Sequence, residues 1–587
     1  MCSGFPQKEL AQTGSVCFVR GGRAFVLYRK GKLYMSNTKK TKKKIKDVSE
    51  RYTLTNTFVN LFLLVIFAVF PLFVNLTFDT GFPFIHFDRG YFAIRHQKFY
   101  FLMVASAAAV IAEVLLVLTR STQEQKDKNP KTKSLLADLS FTDYAALAFA
   151  LACAVSTVLS DYIDMAFFGE VTIAGASHGR NNGLLLMLMY VAVYFMITRC
   201  WKYKEYVFVG LGVTSGVVSL LAVLNTYYID PLNMFALFTN DEKVFNEFLT
   251  TIGNKNMFAS HLCVTLPVAV TMFVHSENKL FKVIYLCAAV LGGMAFVACD
   301  SDSAVLGLGV FAAVFTVAYA RRPHSLKKFL LMLTVMLGSV KLLGLITAAG
   351  APHKKLEAIP YKIMTADAAY WVLAFLAVLT AVLYLLDHKM PGKLLPRAVP
   401  VVLGSLVGLA ALGGLGTVIY FTAIDTKTDL GELDRTLRFS DSWGTHRGFM
   451  WNKALEEFGK LSFVKKLFGT GPETFYYTFS PHFAELYDRF GDGSTDAAHN
   501  EYINYLLNIG IVGLAAYLTF AGSALVRAFK AAKREPLTLV FASAVVAYMA
   551  QAVVNIALPI ATPLFFIFVA LCEAGARTVC NKKEAAA

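Results

Sequence analysis

Apolar runs of about 20 residues, the length that crosses a bilayer as a helix, alternate with short polar connections along almost the whole chain. Thr57–Val74, Val207–Leu224, Val283–Val297 and Val401–Phe421 are examples. The pattern predicts an all-α polytopic membrane protein of about 14 transmembrane helices. They fall near 55–77, 97–119, 142–160, 183–199, 206–225, 257–275, 282–299, 303–320, 327–347, 367–386, 398–423, 501–526, 537–556 and 560–577. One polar stretch, Ala423–Asn500, is about seventy-five residues long, too long for a passive connector and of the kind that carries function. The expected organisation is a basic tail (1–53), eleven spans (54–423), a large and partly helical extracytoplasmic loop (424–499), three spans (500–577) and a second tail (578–587).

Composition agrees with this class. The 587 residues are 56% hydrophobic and only 16% charged, where soluble proteins carry about a quarter. The polar, basic start makes the first apolar helix a retained anchor and not a cleaved signal. Nine cysteines without a CxxC pair give neither a disulfide framework nor a zinc site.

The net charge of +16 is a topology signal before it is a nucleic-acid signal. Lysine and arginine collect in alternate connections: Lys39–Lys46, Arg120–Lys133, Arg199–Lys204, Lys279–Lys282, Arg321–Lys328, His388–Arg397, Arg527–Arg534 and Arg577–Lys583. Positive charge resists translocation, so these connections and both termini are expected in the cytoplasm. The outward loops are then Asp79–His96, Ser160–Asn182, Thr226–Asn256, Ala348–Asp367 and Ala423–Asn500. No nucleic-acid partner is expected.

Within the long loop, Arg447, Trp451, Leu455 and Phe458 repeat at helical spacing and mark one apolar face. An arginine on such a face either snorkels into headgroups or awaits an anion. Phe468-Gly469-Thr470-Gly471-Pro472 then reads as a turn. At the end of the loop, Asp496 fits as an N-cap with Ala497, Ala498 and His499 in the first helical turn. The helix dipole there favours a neutral imidazole, able to accept a proton, and free N–H groups suit a phosphate. The plainer alternative is a histidine that only helps cap the helix.

Four stretches together resemble the O-antigen ligase and O-antigen polymerase family of bacterial membrane glycosyltransferases. They are Gly253-Asn254-Lys255-Asn256 opening a span, Phe168-Gly169 with Gly179-Arg180-Asn181-Asn182-Gly183, Arg447-x-x-x-Trp451 with Gly469-Thr470-Gly471, and His499-Asn500-Glu501-Tyr502 running to Gly510–Gly513. An insert separates the halves of the second stretch. Ser301-Asp302-Ser303-Ala304 departs from the family's serine-arginine-glycine-alanine run, and Arg180, Arg447 or Lys341 are the candidates to compensate.

The resemblance implies an enzyme of the bacterial plasma (inner) membrane that works on the outer leaflet. It would move a sugar chain from undecaprenyl diphosphate to an acceptor hydroxyl, without a metal or other cofactor. Its partners would be the lipid-linked donor, a glycan or lipid-linked acceptor and membrane lipids. His499 would be the general base, and Arg447 would stabilise the departing diphosphate. Arg180, Asn254, Asn256, Trp451, Asn500 and Lys341 would bind or position substrate. Polymerase and ligase share the donor and differ in acceptor, with a slight lean to polymerase. Two other readings compete. A transporter needs charge at mid-membrane, whereas charge in the spans is sparse: Glu113 lies toward the inner end of its span and Lys341 toward the outer end. A non-catalytic envelope-assembly subunit needs neither His499 nor Arg447.

Overall fold

A computed structural model describes residues 24–29, 32–37, 54–74, 91–126, 138–173, 176–235 and 242–586. The expected N-terminal tail lies outside the described residues, apart from an antiparallel hairpin of Ala24–Arg29 and Lys32–Asn37. Most of the expected Asp79–His96 loop lies outside them too.

The remainder is mainly helical, and each expected span has its helix. Eleven are long and apolar enough to cross a membrane and three are shorter. In chain order they are α1 (Leu54–Val69), α2 (Ile94–Leu116), α3 (Phe141–Val158), α4 (Leu184–Cys200), α5 (Glu205–Thr226), α6 (Lys255–His275) and α7 (Lys279–Ala298). Then come α8 (Asp302–Tyr319), α9 (Pro323–Ala348), α10 (Ala368–Lys389), α11 (Ala398–Ile424), α12 (Glu501–Ala531), α13 (Thr538–Val554) and α14 (Thr562–Val579). The protein is an all-α, multi-pass membrane protein.

The bundle is graded from centre to edge. Nearly all of α6 is buried, around Pro267, and Thr271 donates its hydroxyl to the Pro267 carbonyl (2.7 Å). At the other extreme, no residue of Ala398–Ile419 is buried.

Connections that share a charge class meet one another. At one end, Asp143 takes Arg199 (2.9 Å) and Arg577, while Glu573 takes Arg527 (2.6 Å) and Arg577 (2.9 Å). There too the Arg321 backbone carbonyl accepts from the Leu395 N–H (3.0 Å), and His324 and Lys327 pair with Asp387. At the other end the lysine-poor loops interlock. Lys354, buried, donates to the Phe245 and Phe248 carbonyls (2.8 and 3.0 Å). Asp300 accepts the Glu357 and Ala358 N–H groups (2.9 and 2.7 Å), and Asp302 accepts that of Ile359 (2.9 Å). Ser160 donates to the Thr470 carbonyl (2.6 Å).

Charge inside the bundle is less sparse than Glu113 and Lys341 suggest. Asp143, Glu501, Glu573 and Lys98 are all fully buried. Each has partners that the sequence does not announce. Lys98 donates to the Phe70, Pro71 and Phe73 carbonyls (2.9, 3.0 and 3.2 Å), just past the end of α1.

Candidate active site

The long loop between α11 and α12 builds a small core of its own. Phe449, Met450, Ala454, Phe475, Phe479 and Leu486 pack with Ala498 and with Leu507 of α12. This core ties the helix that carries Arg447 to the segment that carries His499. The Trp443–Lys460 helix turns a different face inward from the one its spacing suggests: Met450, Trp451, Ala454 and Phe458 point in, and Leu455 is 47% exposed. Four apolar positions within three turns suffice for an inner face, so the periodicity alone leaves its angle free by one residue.

Arg447 begins the regular part of that helix. The three residues before it, Gly444, Thr445 and His446, have φ of 60, 58 and 66°, a left-handed turn that a β-branched threonine adopts only under constraint. Behind Arg447, a Cβ on Gly448 would lie 1.8 Å from the Ser440 carbonyl, so only glycine lets the chain cross there. Burial lowers the pKa of Arg447, with Asp302 acting in the opposite sense. The Arg447 guanidinium has no ion pair or hydrogen bond among the described residues.

His499 corrects the expected helix start. α12 begins at Glu501, and its N-cap is Asn500, whose Oδ1 accepts the Tyr502 and Ile503 N–H groups (3.0 and 3.1 Å). His499 precedes the cap with φ 52°. Asp496 is no cap at all; it is the ion-pair partner of Arg180. The reason is steric and local: a left-handed residue at 499 cannot belong to the helix, and Asn500 caps as well as aspartate does.

The imidazole is held neutral, though by burial and not by a helix dipole. Its pKa falls to about 3, through burial first, then through the charges of Arg447 and Arg180, against Asp496. Several groups around the ring are tied. Trp451 donates its indole N–H to the Ala498 carbonyl (2.9 Å), the Ala498 N–H goes to Asn504 (2.8 Å), and Arg180 holds Asp496. Trp451 lies one turn after Arg447 and Ala498 lies beside His499, so this bond brings the two candidate residues to the same place. The ring of His499 itself has no hydrogen bond among the described residues.

Arg180 arrives on a closed loop. Gly169 and Gly183 face each other so tightly that a Cβ on Gly169 would sit 2.3 Å from the Gly183 nitrogen. The intervening insert is a hairpin of Glu170–Ile173 and Ala176–Gly179, so the halves parted in sequence rejoin in space. Glu473, which sequence reasoning passed over, faces the same group. It is buried, with φ 61°, and burial raises its pKa to about 8, against the charges of Arg180 and Arg95. Asn181, Thr445, His446, Glu473 and His499 account for five of the nine non-glycine residues with positive φ among those described. Such strain persists where surrounding structure enforces it, often at sites of function, and it is invisible to composition or periodicity.

The other expected residues have structural duties. Asn254 caps α6 and donates to Glu247 (3.0 Å). Asn256 accepts from Ser301 (2.7 Å). Lys341 donates to the Met364 and Ala366 carbonyls (2.6 and 3.0 Å) and lies over the Tyr370 ring. Asp302, where the family's arginine is expected, accepts the Ile359 N–H (2.9 Å) and stands near Arg447.

One group among the described residues has donor spacing suited to a metal, Glu456, Glu457 and His482. The Lys460 amine already bridges its two carboxylates at 2.8 Å each, and His482 bonds Glu457 at 2.8 Å.

Comparison with known proteins gives one family: residues 363–518 match the family described as O-antigen ligase, from the approach to α10 through the long loop into α12. No curated protein matches the chain. The matched segment contains Arg447, Trp451, His499 and Asn500, so the chain is a polytopic membrane protein whose 363–518 segment is similar to the O-antigen ligase family.

Proposed function

We propose that the protein transfers a glycan from a polyprenyl diphosphate, undecaprenyl diphosphate in a bacterial membrane, to an acceptor hydroxyl on the outer leaflet. The 424–499 loop is its catalytic domain and both termini are cytoplasmic. The supporting observation is a neutral imidazole with both ring nitrogens uncommitted, under the charge of two guanidiniums, one of them also uncommitted.

The reaction follows from those groups. The donor diphosphate engages Arg447, whose planar fork matches phosphate oxygens. The acceptor hydroxyl gives its proton to His499 as its oxygen bonds to the anomeric carbon. The bond from that carbon to the phosphate oxygen breaks, and the electron pair leaves with the diphosphate, where Arg447 offsets the growing charge. One displacement from the face opposite the leaving group inverts the anomeric centre. Arg180 is engaged with Asp496 and orients the segment before His499, and Trp451 fixes the distance between base and arginine. Asn500 sets the start of α12 just behind the base.

The experiment is transfer in proteoliposomes supplied with lipid-linked donor and acceptor, read by mass spectrometry. His499→Ala and Arg447→Ala should each reduce turnover by at least about a hundredfold while the protein still inserts. Wild-type turnover in either variant would remove that residue from the mechanism. The acceptor class is read from the same spectra: lengthened lipid-linked chains mean polymerisation, and a glycan moved to another carrier means ligation.

A further inference from the structure

Two rings stand beside Trp451, those of Trp443 (5.2 Å between centroids) and Phe439 (6.0 Å). Neither belongs to the core of the long loop, which takes Trp451 at its edge. Trp443 is half-buried and fixed in place, its indole N–H donating to the Thr436 carbonyl (3.2 Å). Phe439 meets it at 52° and Trp451 at 57°, so both contacts are oblique and neither ring lies flat on the indole. The left-handed turn of Gly444, Thr445 and His446 follows at once, and it folds the Arg447 side chain back toward Trp443. A Cβ on Gly444 would stand 3.6 Å from Arg447 Nη1, so the guanidinium and the indole flank a single residue. A large ring is thus held outside the core, by a strained turn, beside a cation without a partner among the described residues.

The transfer reaction selects which part of the substrates meets this ring. The anomeric carbon lies between a base on His499 and a phosphate on Arg447, and Trp451 joins those two places. The sugar that carries this carbon is bonded to the diphosphate and must occupy the space next to Trp451. The polyprenyl chain leaves from the other phosphate toward the bilayer, and the acceptor comes from the side of the base. A pyranose is amphipathic, with hydroxyls around its rim and C–H bonds across a face. The electron-rich face of an indole packs well on such polarised C–H bonds.

We propose that Trp443 is a specificity-determining residue, the platform on which the C–H face of the donor's first sugar rests. This rests on the transfer reading of the same site. The indole holds the pyranose ring while Arg447 holds the diphosphate, so a donor is recognised by the sugar and the phosphate together.

The test measures equilibrium binding to the full chain in nanodiscs with two probes: the lipid-linked glycan extracted from cells that lack the protein, and bare undecaprenyl diphosphate. Trp443→Ala should weaken the glycan-bearing lipid about tenfold and Trp443→Phe about threefold, with the bare diphosphate unchanged. In transfer assays the same loss should appear as a rise in donor KM with kcat within about twofold of wild type. Equal weakening of both lipids would give the ring to the prenyl end or to the shape of the loop, and overturn the proposal. So would unchanged binding of the glycan-bearing lipid. A wild type that binds neither lipid would instead remove the transfer reading. Binding of the bare diphosphate shows that a variant has folded, and Trp443→Phe carries the test where Trp443→Ala does not fold.

Discussion

His499 is set among held neighbours while its own ring is uncommitted, and that contrast makes two predictions at the scale of the residue. The first concerns pH. Burial and two guanidiniums bring the folded imidazole to about 3, below its ordinary 6.5, so the unfolded chain binds a proton that the folded one refuses between those values. Its stabilising contribution is therefore complete above pH 6.5 and is lost as pH falls toward 3. For catalysis, kcat/KM should be flat with respect to this group from about pH 5 to 7.5, because the base is already neutral. An acid limb near 6.5 in the pH–rate profile would contradict the buried setting. The second concerns Trp451. Trp451→Phe keeps the ring packing and removes the bond to the Ala498 carbonyl, so kcat should fall about three- to tenfold with little change in KM. A rise in KM alone would make Trp451 a substrate contact and not a spacer. His499 and Arg447 are legible in the sequence because their chemistry is rare in an apolar chain. Glu473 and Asp300 are not, since a carboxylate's role at a strained turn or beneath a loop depends on backbone that no local pattern encodes.

Among the elements, the joint between the long loop and α12 is the most demanding. α12 is interrupted at Gly510 (φ 70°, ψ −175°), and the carbonyls it frees are taken by the loop and by α3: Thr470 N–H to Leu507 (3.1 Å), Gly471 N–H to Asn508 (2.8 Å) and Ser156 Oγ of α3 to Asn508 (2.8 Å). The backbones touch, since a Cβ on Gly469 would meet the Asn508 carbonyl oxygen at 2.2 Å and one on Gly510 would meet Leu467 at 2.4 Å. Gly510→Ala should therefore cost about 2 kcal/mol or more in stability and misplace the loop. Gly522→Ala in the same helix, with nothing within 4 Å, should be neutral. Thermal unfolding of the pair distinguishes a joint from a generic glycine effect. The spans themselves are plain in the sequence because length and hydropathy are enough to mark them. The break at Gly510, the cap at Asn500 and the inward angle of the Arg447 helix are settled by contacts remote in sequence, and periodicity is blind to those.

For the whole molecule, the alternation of basic connections has a spatial counterpart: the two sets gather at opposite ends and bond within their own set. Charge bias predicts that the basic end is cytoplasmic. With a reagent that does not cross membranes, Gly493→Cys should label in intact cells and Lys393→Cys only after permeabilisation. The reverse pattern would put the candidate site on the wrong side for a flipped donor. Pairing of ends was legible in the order of charges; the buried ion network around Asp143 and Glu573 was not, because its members come from spans far apart in the chain.

The open setting of α11 bears on ancestry. No residue of Ala398–Ile419 meets a close-packed neighbour on all sides, so hydrocarbon is its main judge and one greasy side chain serves as well as another. That helix is free to drift, while α6, enclosed on every side, must change in concert with what surrounds it. Kinship between distant members is accordingly better read from the enclosed helix and the glycine joint than from the helix that leads into the loop.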